Sequence, residues 1–175
     1  MNYKLVMPDL RYKSQYLDFI SECSADIREC GMDFFMPISS AKSLASDIET
    51  LTQQSTGDNL TDGWVPADTY WLFSKPEKKI SGAVNIRHRL SEYLKFRGGH
   101  ISYYIADSDR RKGYGTLILS LALQECRRMN IESVMISCAR HNIGSKNIIK
   151  NNGGVFDSED IEGDEVFERY WIELK

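Results

Sequence analysis

Arg110-Arg111-Lys112-Gly113-Tyr114-Gly115-Thr116 stands between a strand-like run, His100–Ala106, and a long apolar helical run, Gly113–Met129. Its two glycines let the backbone turn tightly and approach a ligand closely. The unpaired N–H groups that open the following helix point at whatever lies in that turn. The stretch therefore reads as an anion cradle suited to a phosphate. It is not a Walker A loop, because no Gly-x-x-x-x-Gly-Lys-Ser/Thr occurs in the chain. Nor is it a dinucleotide fingerprint, since Ile118 takes the place of the third glycine and no βαβ unit opens the sequence. The competing reading of Arg110-Arg111-Lys112 is a solvated charged turn.

What remains is Arg-x-x-Gly-x-Gly, and it resembles the pyrophosphate loop of the GNAT superfamily of acyl-CoA-dependent N-acyltransferases. A second stretch, Asn142-Ile143-Gly144-Ser145 followed by Gly153-Gly154, is similar to that superfamily's later Asn-x-x-Ala/Ser helix and its glycine-containing turn. From about Tyr70 to Gly154 the chain also resembles a subgroup of predicted acetyltransferases without an assigned substrate. The shared residues are Tyr70-Trp71-Leu72, Gly82, Ile86-Arg87-His88 and Gly98-Gly99-His100-Ile101, followed by the loop.

The resemblance implies a mixed α/β fold: a central twisted mixed sheet of about six to seven strands, flanked by helices and splayed where the cofactor lies. It implies acetyl-CoA as cofactor, with the pyrophosphate on the amides of Arg111, Lys112, Gly113, Tyr114, Gly115 and Thr116 and added positive charge from Arg110, Arg111 and Lys112. Backbone groups near Ile105 would pair with pantetheine like a short extra strand, and Asn142 and Ser145 would face the arm from the other side. Asn142 read by itself is a helix N-cap, and the two roles are compatible.

In many family members a tyrosine seven residues after the motif asparagine protonates the departing thiolate, but here that position is Ile149. Ser145, Tyr114, Tyr103 and Tyr104 are the substitute hydroxyls, of which Tyr104 and Ser145 are taken as catalytic; alternatively the thiolate leaves unaided, because a thiol pKa near roughly 8.5 makes it a tolerable leaving group. For a general base His100 has a suitable titration range and lies on the strand leading to the thioester. Its competing reading is a half-buried histidine filling a strand face. His88 and His141 are weaker candidates, and a loop aspartate acting through water is another. Thr56–Asp68 is a long polar connection of the kind that carries function. Its Asp58, Asp62 and Asp68 suit either a cationic amine or plain solvation.

The rest of the chain reads as a frame for these motifs. A length of 175 residues and a hydrophobic share of 42% suit one domain, taken as 1–175, with a single core. The formal charge of −3 argues against nucleic acid and membrane surfaces as partners. Cys23, Cys30, Cys126 and Cys138 show no Cys-x-x-Cys spacing and the histidines no ligand-like spacing, so reduced thiols in the cytoplasm and no metal are expected. Asp9 caps a helix over Leu10–Cys23 after a strand near Tyr3–Met7, and Ser40 caps another through about Gln54. Thr69–Ser74 and Lys79–His88 form a hairpin, Ile131–Cys138 a strand, Asn142–Asn151 a helix, and Val155–Ser158 and Val166–Ile172 the last strands.

The functional expectation is transfer of an acetyl group from acetyl-CoA to a primary amine, of a small molecule or a peptide, by direct attack in a ternary complex. The alternative is a non-catalytic acyl-CoA-binding sensor or interaction module. A homodimer is compatible with either.

Overall fold

Alternation of side chains along the central strands sets the layers, because successive residues of a strand point to opposite faces. The computed structural model describes residues 2–29, 31–32, 34–37, 43–58 and 60–174. Within them β1 (Tyr3–Val6), β2 (Ala67–Ser74), β3 (Lys79–Arg87) and β4 (Ile101–Ile105) form one antiparallel sheet in that order. A second antiparallel sheet holds β5 (Ser133–Ala139) and β6 (Val155–Glu162) on either side of β7 (Glu165–Glu173).

Leu72, Val84 and Ile105 face one way and pack with Ile118, Leu119 and Ile149 of α4 (Tyr114–Arg128) and α5 (Ile143–Asn151). Their neighbours Trp71, Ala83 and Tyr104 face the other way, onto Tyr16, Phe19 and Leu44 of α1 (Lys13–Glu29) and α2 (Leu44–Thr56). Tyr16 stacks on Trp71 with ring centroids 4.2 Å apart. Each fully buried large apolar side chain contributes about 1.5–3 kcal/mol, so the two helical layers clamp the sheet from both sides.

Local signals explain most element ends. Asp9 accepts a hydrogen bond from the Arg11 amide at 2.8 Å and opens the first helix through a short 3₁₀ turn, Leu10–Tyr12. The helix runs on to Glu29, past the expected end at Cys23, because Ile27 extends the buried stripe of Tyr16, Phe19, Ile20 and Cys23. The expected cap Ser40, like Cys30, lies outside the described residues. Asn130 adopts the left-handed exit from α4 that its sequence position suggests, with φ of 59°. One helix escaped the sequence reading: α3 (Glu92–Phe96), whose signal is Ser91, accepting from the Leu94 amide at 3.3 Å, with Glu92 in the first turn.

The expected mixed α/β fold of seven strands flanked by helices and splayed in the middle is present; its strands fall into two sheets in which every pair among the described residues is antiparallel, and the β4 and β5 segments meet at a single backbone bridge, Gly99 to Ile136. The cause lies in Gly98 and Gly99, with φ of 105° and 72°. A Cβ on Gly99 would sit 2.3 Å from the Met135 carbonyl oxygen, so only glycine lets the chains touch there. From that contact β4 and β5 splay apart.

Candidate functional site

The splay leaves backbone groups facing an empty strand position. The Arg87 amide donates to the His100 carbonyl and the Ala106 amide to the Ser81 carbonyl, so even-numbered residues of β4 turn their backbone toward β3. By alternation the amides of Tyr103 and Ile105 face the gap. On β5 the bonds Arg140 N–H to Val166 O and Leu174 N–H to Glu132 O turn the even-numbered residues toward β7, so Ser137 and Ala139 face the gap from the other side.

At the far end of β4 the chain enters the loop. Arg111 and Gly113 are both left-handed, with φ of 63° and 85°, and curl the backbone into a nest at the start of α4. The amides from Arg111 to Thr116 have no acceptor among the described residues. Beneath the loop Asp109, 2% exposed, pairs with Lys79 at 2.6 Å and Lys112 at 3.2 Å. Burial alone would raise its pKa, but the two ammonium groups outweigh it and hold the carboxyl below its usual range.

Arg110 is likewise engaged, by Asp107 at 2.8 Å and by the Ile105 carbonyl at 3.2 Å. Arg111 is exposed and has no carboxylate partner among the described residues. The two loop glycines do different work. A Cβ on Gly113 would meet nothing within 4 Å, whereas one on Gly115 would lie 2.4 Å from Ile148 Cδ1, so Gly115 serves the packing of α4 on α5. Tyr114 is tied to β1 by its hydroxyl, 2.6 Å from that of Tyr3.

A cleft of about 660 Å³ opens at the splay, lined by Tyr103, Asn142, Ser145, Ser137, Cys138 and His141 and, on its other wall, by Arg87, Tyr93 and Arg97. The Tyr103 hydroxyl donates to Ser145 Oγ at 3.2 Å, joining β4 to α5 across the gap. Burial raises the Tyr103 phenol above its usual pKa, so it stays protonated. Asn142 caps α5, its Oδ1 accepting from the Ser145 amide at 3.0 Å, and this turns Ser145 toward Tyr103. Burial, with Glu168 nearby, pushes the Cys138 thiol up to about 11.

Several expected residues stand elsewhere. Tyr104 is buried on the α1 side of the sheet, edge-on to Phe19 and under the Arg110 guanidinium, and does not line the cleft. His100 is the staple of the splay: its amide donates to the Met135 carbonyl at 2.7 Å and its Nδ1 accepts from the Met135 amide at 3.0 Å. Burial, and then the charge of Arg87, lower its pKa to about 4, so the ring is neutral and one nitrogen is already spent. Asp58 accepts from Thr56 Oγ1 at 2.7 Å, and Asp68 lies 3.1 Å from His88 Nε2 and is bonded by Ser55 and Tyr70. These two do not reach the cleft, nor does Asp62 line it. Arg87 stands in the motif Ile86-Arg87-His88, but nothing in the neighbouring residues marks it as functional; only the pairing of β3 with β4 brings it to the cleft wall.

Ile149 is fully buried in the layer between α5 and the sheets, where a Cβ on Gly154 would already crowd it at 2.3 Å. An Ile149→Tyr variant, on sequence grounds a mild change, is therefore expected to lose about 1–3 kcal/mol of stability through overpacking, measured by denaturant unfolding.

Residues 31–155 match the family model described as "Acetyltransferase (GNAT) domain". The chain belongs to the GNAT acetyltransferase family. No curated protein sequence matches it significantly. Among solved structures this GNAT acetyltransferase is similar to the microcin C7 self-immunity acetyltransferase MccE in complex with acetyl-CoA and AMP, with a TM-score of 0.70 and 16% identity over 98% of this chain and 92% of that one. It is also similar to the ribosomal-protein-S5-alanine acetyltransferase from Vibrio fischeri, with a TM-score of 0.73 and 14% identity over 99% and 94%. RimL, the ribosomal L7/L12 alpha-N-protein acetyltransferase in complex with coenzyme A, gives a TM-score of 0.69 and 13% identity over 99% and 95%. At such identities the likeness is one of fold.

Proposed function

We propose that this GNAT domain transfers an acetyl group from acetyl-CoA to a primary amine by direct attack within a ternary complex. The observation that carries the reading is continuity: the open edge of β4 runs from the loop nest at one end to the Tyr103–Ser145 pair at the other. Acetyl-CoA would supply an activated thioester. The free amides of Arg111 to Thr116 suit its pyrophosphate, and Arg111 is the loop cation left to meet a phosphate. The Tyr103 and Ile105 amides supply donors along the arm and for a developing oxyanion.

Tyr103 and Ser145 hold a proton where the thiolate would depart, which fills the gap left by Ile149. The amine's own proton leaves through the open cleft, where solvent and the His141–Glu165 pair, 3.4 Å apart, can accept it. His100 has no part in that step. Because Cys138 stays a thiol, an acyl-cysteine intermediate is disfavoured and direct attack is favoured. The free cysteines Cys23, Cys126 and Cys138 suit the reducing cytoplasm. Among the described residues no helix is long and apolar enough to cross a membrane.

Incubation with acetyl-CoA and a panel of amines, followed by thiol release, tests the proposal. Turnover is expected, and in Tyr103→Phe and Ser145→Ala kcat should fall about tenfold with little change in KM for acetyl-CoA, since thiolate is a tolerable leaving group even without an acid. Acetyl-CoA binding without thiol release from any amine would leave the sensor reading standing instead.

A further inference from the structure

A buried cation on the cleft wall has no anion. Arg87 is 9% exposed, and among the described residues no carboxylate pairs with it. Its guanidinium gives one donor to the Gly99 carbonyl at 2.9 Å and one to Ser102 Oγ at 3.0 Å, and packs over the Phe34 ring, 5.3 Å from its centroid. Both hydrogen-bond acceptors are neutral, and three of the five guanidinium donors are left over. A buried charge without a counter-charge is costly, so folds retain one where a ligand supplies the missing partner.

A second orphan stands beside it. Asn85 donates to Thr69 Oγ1 at 3.1 Å, but its buried Oδ1 has no partner. Asn85 and Arg87 both line a smaller pocket of about 200 Å³, walled by Phe34, Trp64, Val65 and Leu94, which adjoins the main cleft at Phe34, Arg87, Tyr93 and Leu94. Besides these two groups the pocket's polar lining is Gln54, Ser91 and Tyr93, the rest of its wall is apolar or glycine, and it is large enough for one ring or branched chain.

The strand register gives the direction of approach. Asn85 lies directly opposite Ser102, so with Arg87 they share the sheet face away from Tyr103 and Ser145. A molecule anchored at Arg87 enters the splay from the side opposite the α4–α5 layer. Ser102 precedes Tyr103 by one strand residue, about 3.3 Å, so an amine only a few atoms from the anchored anion reaches the strand edge.

We propose that Arg87 binds a carboxylate of the acceptor, and that the acceptor is a small amino-acid-like molecule whose aromatic or branched apolar group fills the pocket beside Trp64. The assignment rests on the reading of the cleft as the acceptor side of an acetyltransferase. Asn85 Oδ1 takes an N–H of the same molecule. Asp58, Asp62 and Asp68, the loop residues that would suit a cationic amine, are not among the residues lining this pocket.

The test uses unreactive probes, so it does not depend on turnover. Calorimetry of the full chain with 3-phenylpropionate and with its neutral isostere 3-phenylpropionamide should show the acid binding at least roughly tenfold tighter, a difference of about 1.4 kcal/mol. Arg87→Met should abolish that difference. Should Arg87→Met fail to fold, Trp64→Ala, at the 43%-exposed rim, serves in its place and is expected to weaken the acid severalfold. Equal binding of the two probes, or binding of neither, overturns the proposal. Acetyl-CoA titrated into the same samples separates the two readings: acetyl-CoA bound with no preference for the acid removes the acceptor assignment alone. Arg87-dependent binding of the acid without any acetyl-CoA binding keeps the anion site and removes the transferase reading.

Discussion

Gly113→Val is expected to weaken acetyl-CoA binding about a hundredfold while leaving the melting temperature nearly unchanged. At φ of 85° a β-branched residue is strained by about 1–3 kcal/mol. Nothing lies within 4 Å of the position a Cβ would take, so the unliganded loop can relax and release that strain without disturbing the core. The relaxed loop no longer aims its amides together. Binding must restore the nest against the strain, and the added side chain stands in the space where the anion would sit; together these are worth about 2.7 kcal/mol, or two decades of affinity.

Gly115→Ala is the informative comparison. Its Cβ would press on Ile148 Cδ1, so the variant should lose some stability and keep most of its affinity. Titration calorimetry and thermal unfolding of both proteins give the four numbers needed. Wild-type affinity in Gly113→Val would show that the loop does not hold the cofactor.

The contrast between those glycines marks the limit of the sequence reading. That a glycine-rich turn opens an apolar helix is local information, as are the Asp9 cap and the left-handed Asn130, and all of it is visible in neighbouring residues. The partner of Gly115 is a side chain 33 residues further on, and nothing near the loop announces it. The faces of β4 are readable from alternation, yet not which face looks into the cleft, so Tyr104, which packs on the α1 side, stands among the expected catalytic residues in place of Tyr103. Arg87 depends on register between β3 and β4. Its lack of a carboxylate partner among the described residues is a property of the assembled wall, as is the retreat of Asp58 and Asp68 into hydrogen bonds with Thr56 and Ser55.

His100 shows the same limit with a measurable consequence. A histidine on the strand approaching the thioester suggested a base, but its ring lies beside the single backbone bridge between the β4 and β5 segments among the described residues, bonded to the Met135 amide. His100→Ala leaves the buried Met135 amide without an acceptor, which costs about 1–3 kcal/mol, and removes packing besides, so a destabilisation of about 2–4 kcal/mol is expected. The pH dependence has a definite sign. The folded pKa of about 4 lies below the unfolded value near roughly 6.5, so the ring's contribution is complete above pH 6.5, declines as pH falls toward 4 and levels off below it. Unfolding free energies of wild type between pH 4 and 7 should carry that slope, and the alanine variant should lose it. His100→Asn, which keeps an acceptor near the Nδ1 position, should recover part of the stability at pH 7 without the slope. A catalytic base would behave otherwise: its removal would alter the pH–rate profile of folded enzyme and leave stability almost untouched. The staple instead sets the width of the gap, so its loss should raise KM for acetyl-CoA more than it lowers kcat, because the arm would then lie along a strand edge no longer held at a fixed distance from β5.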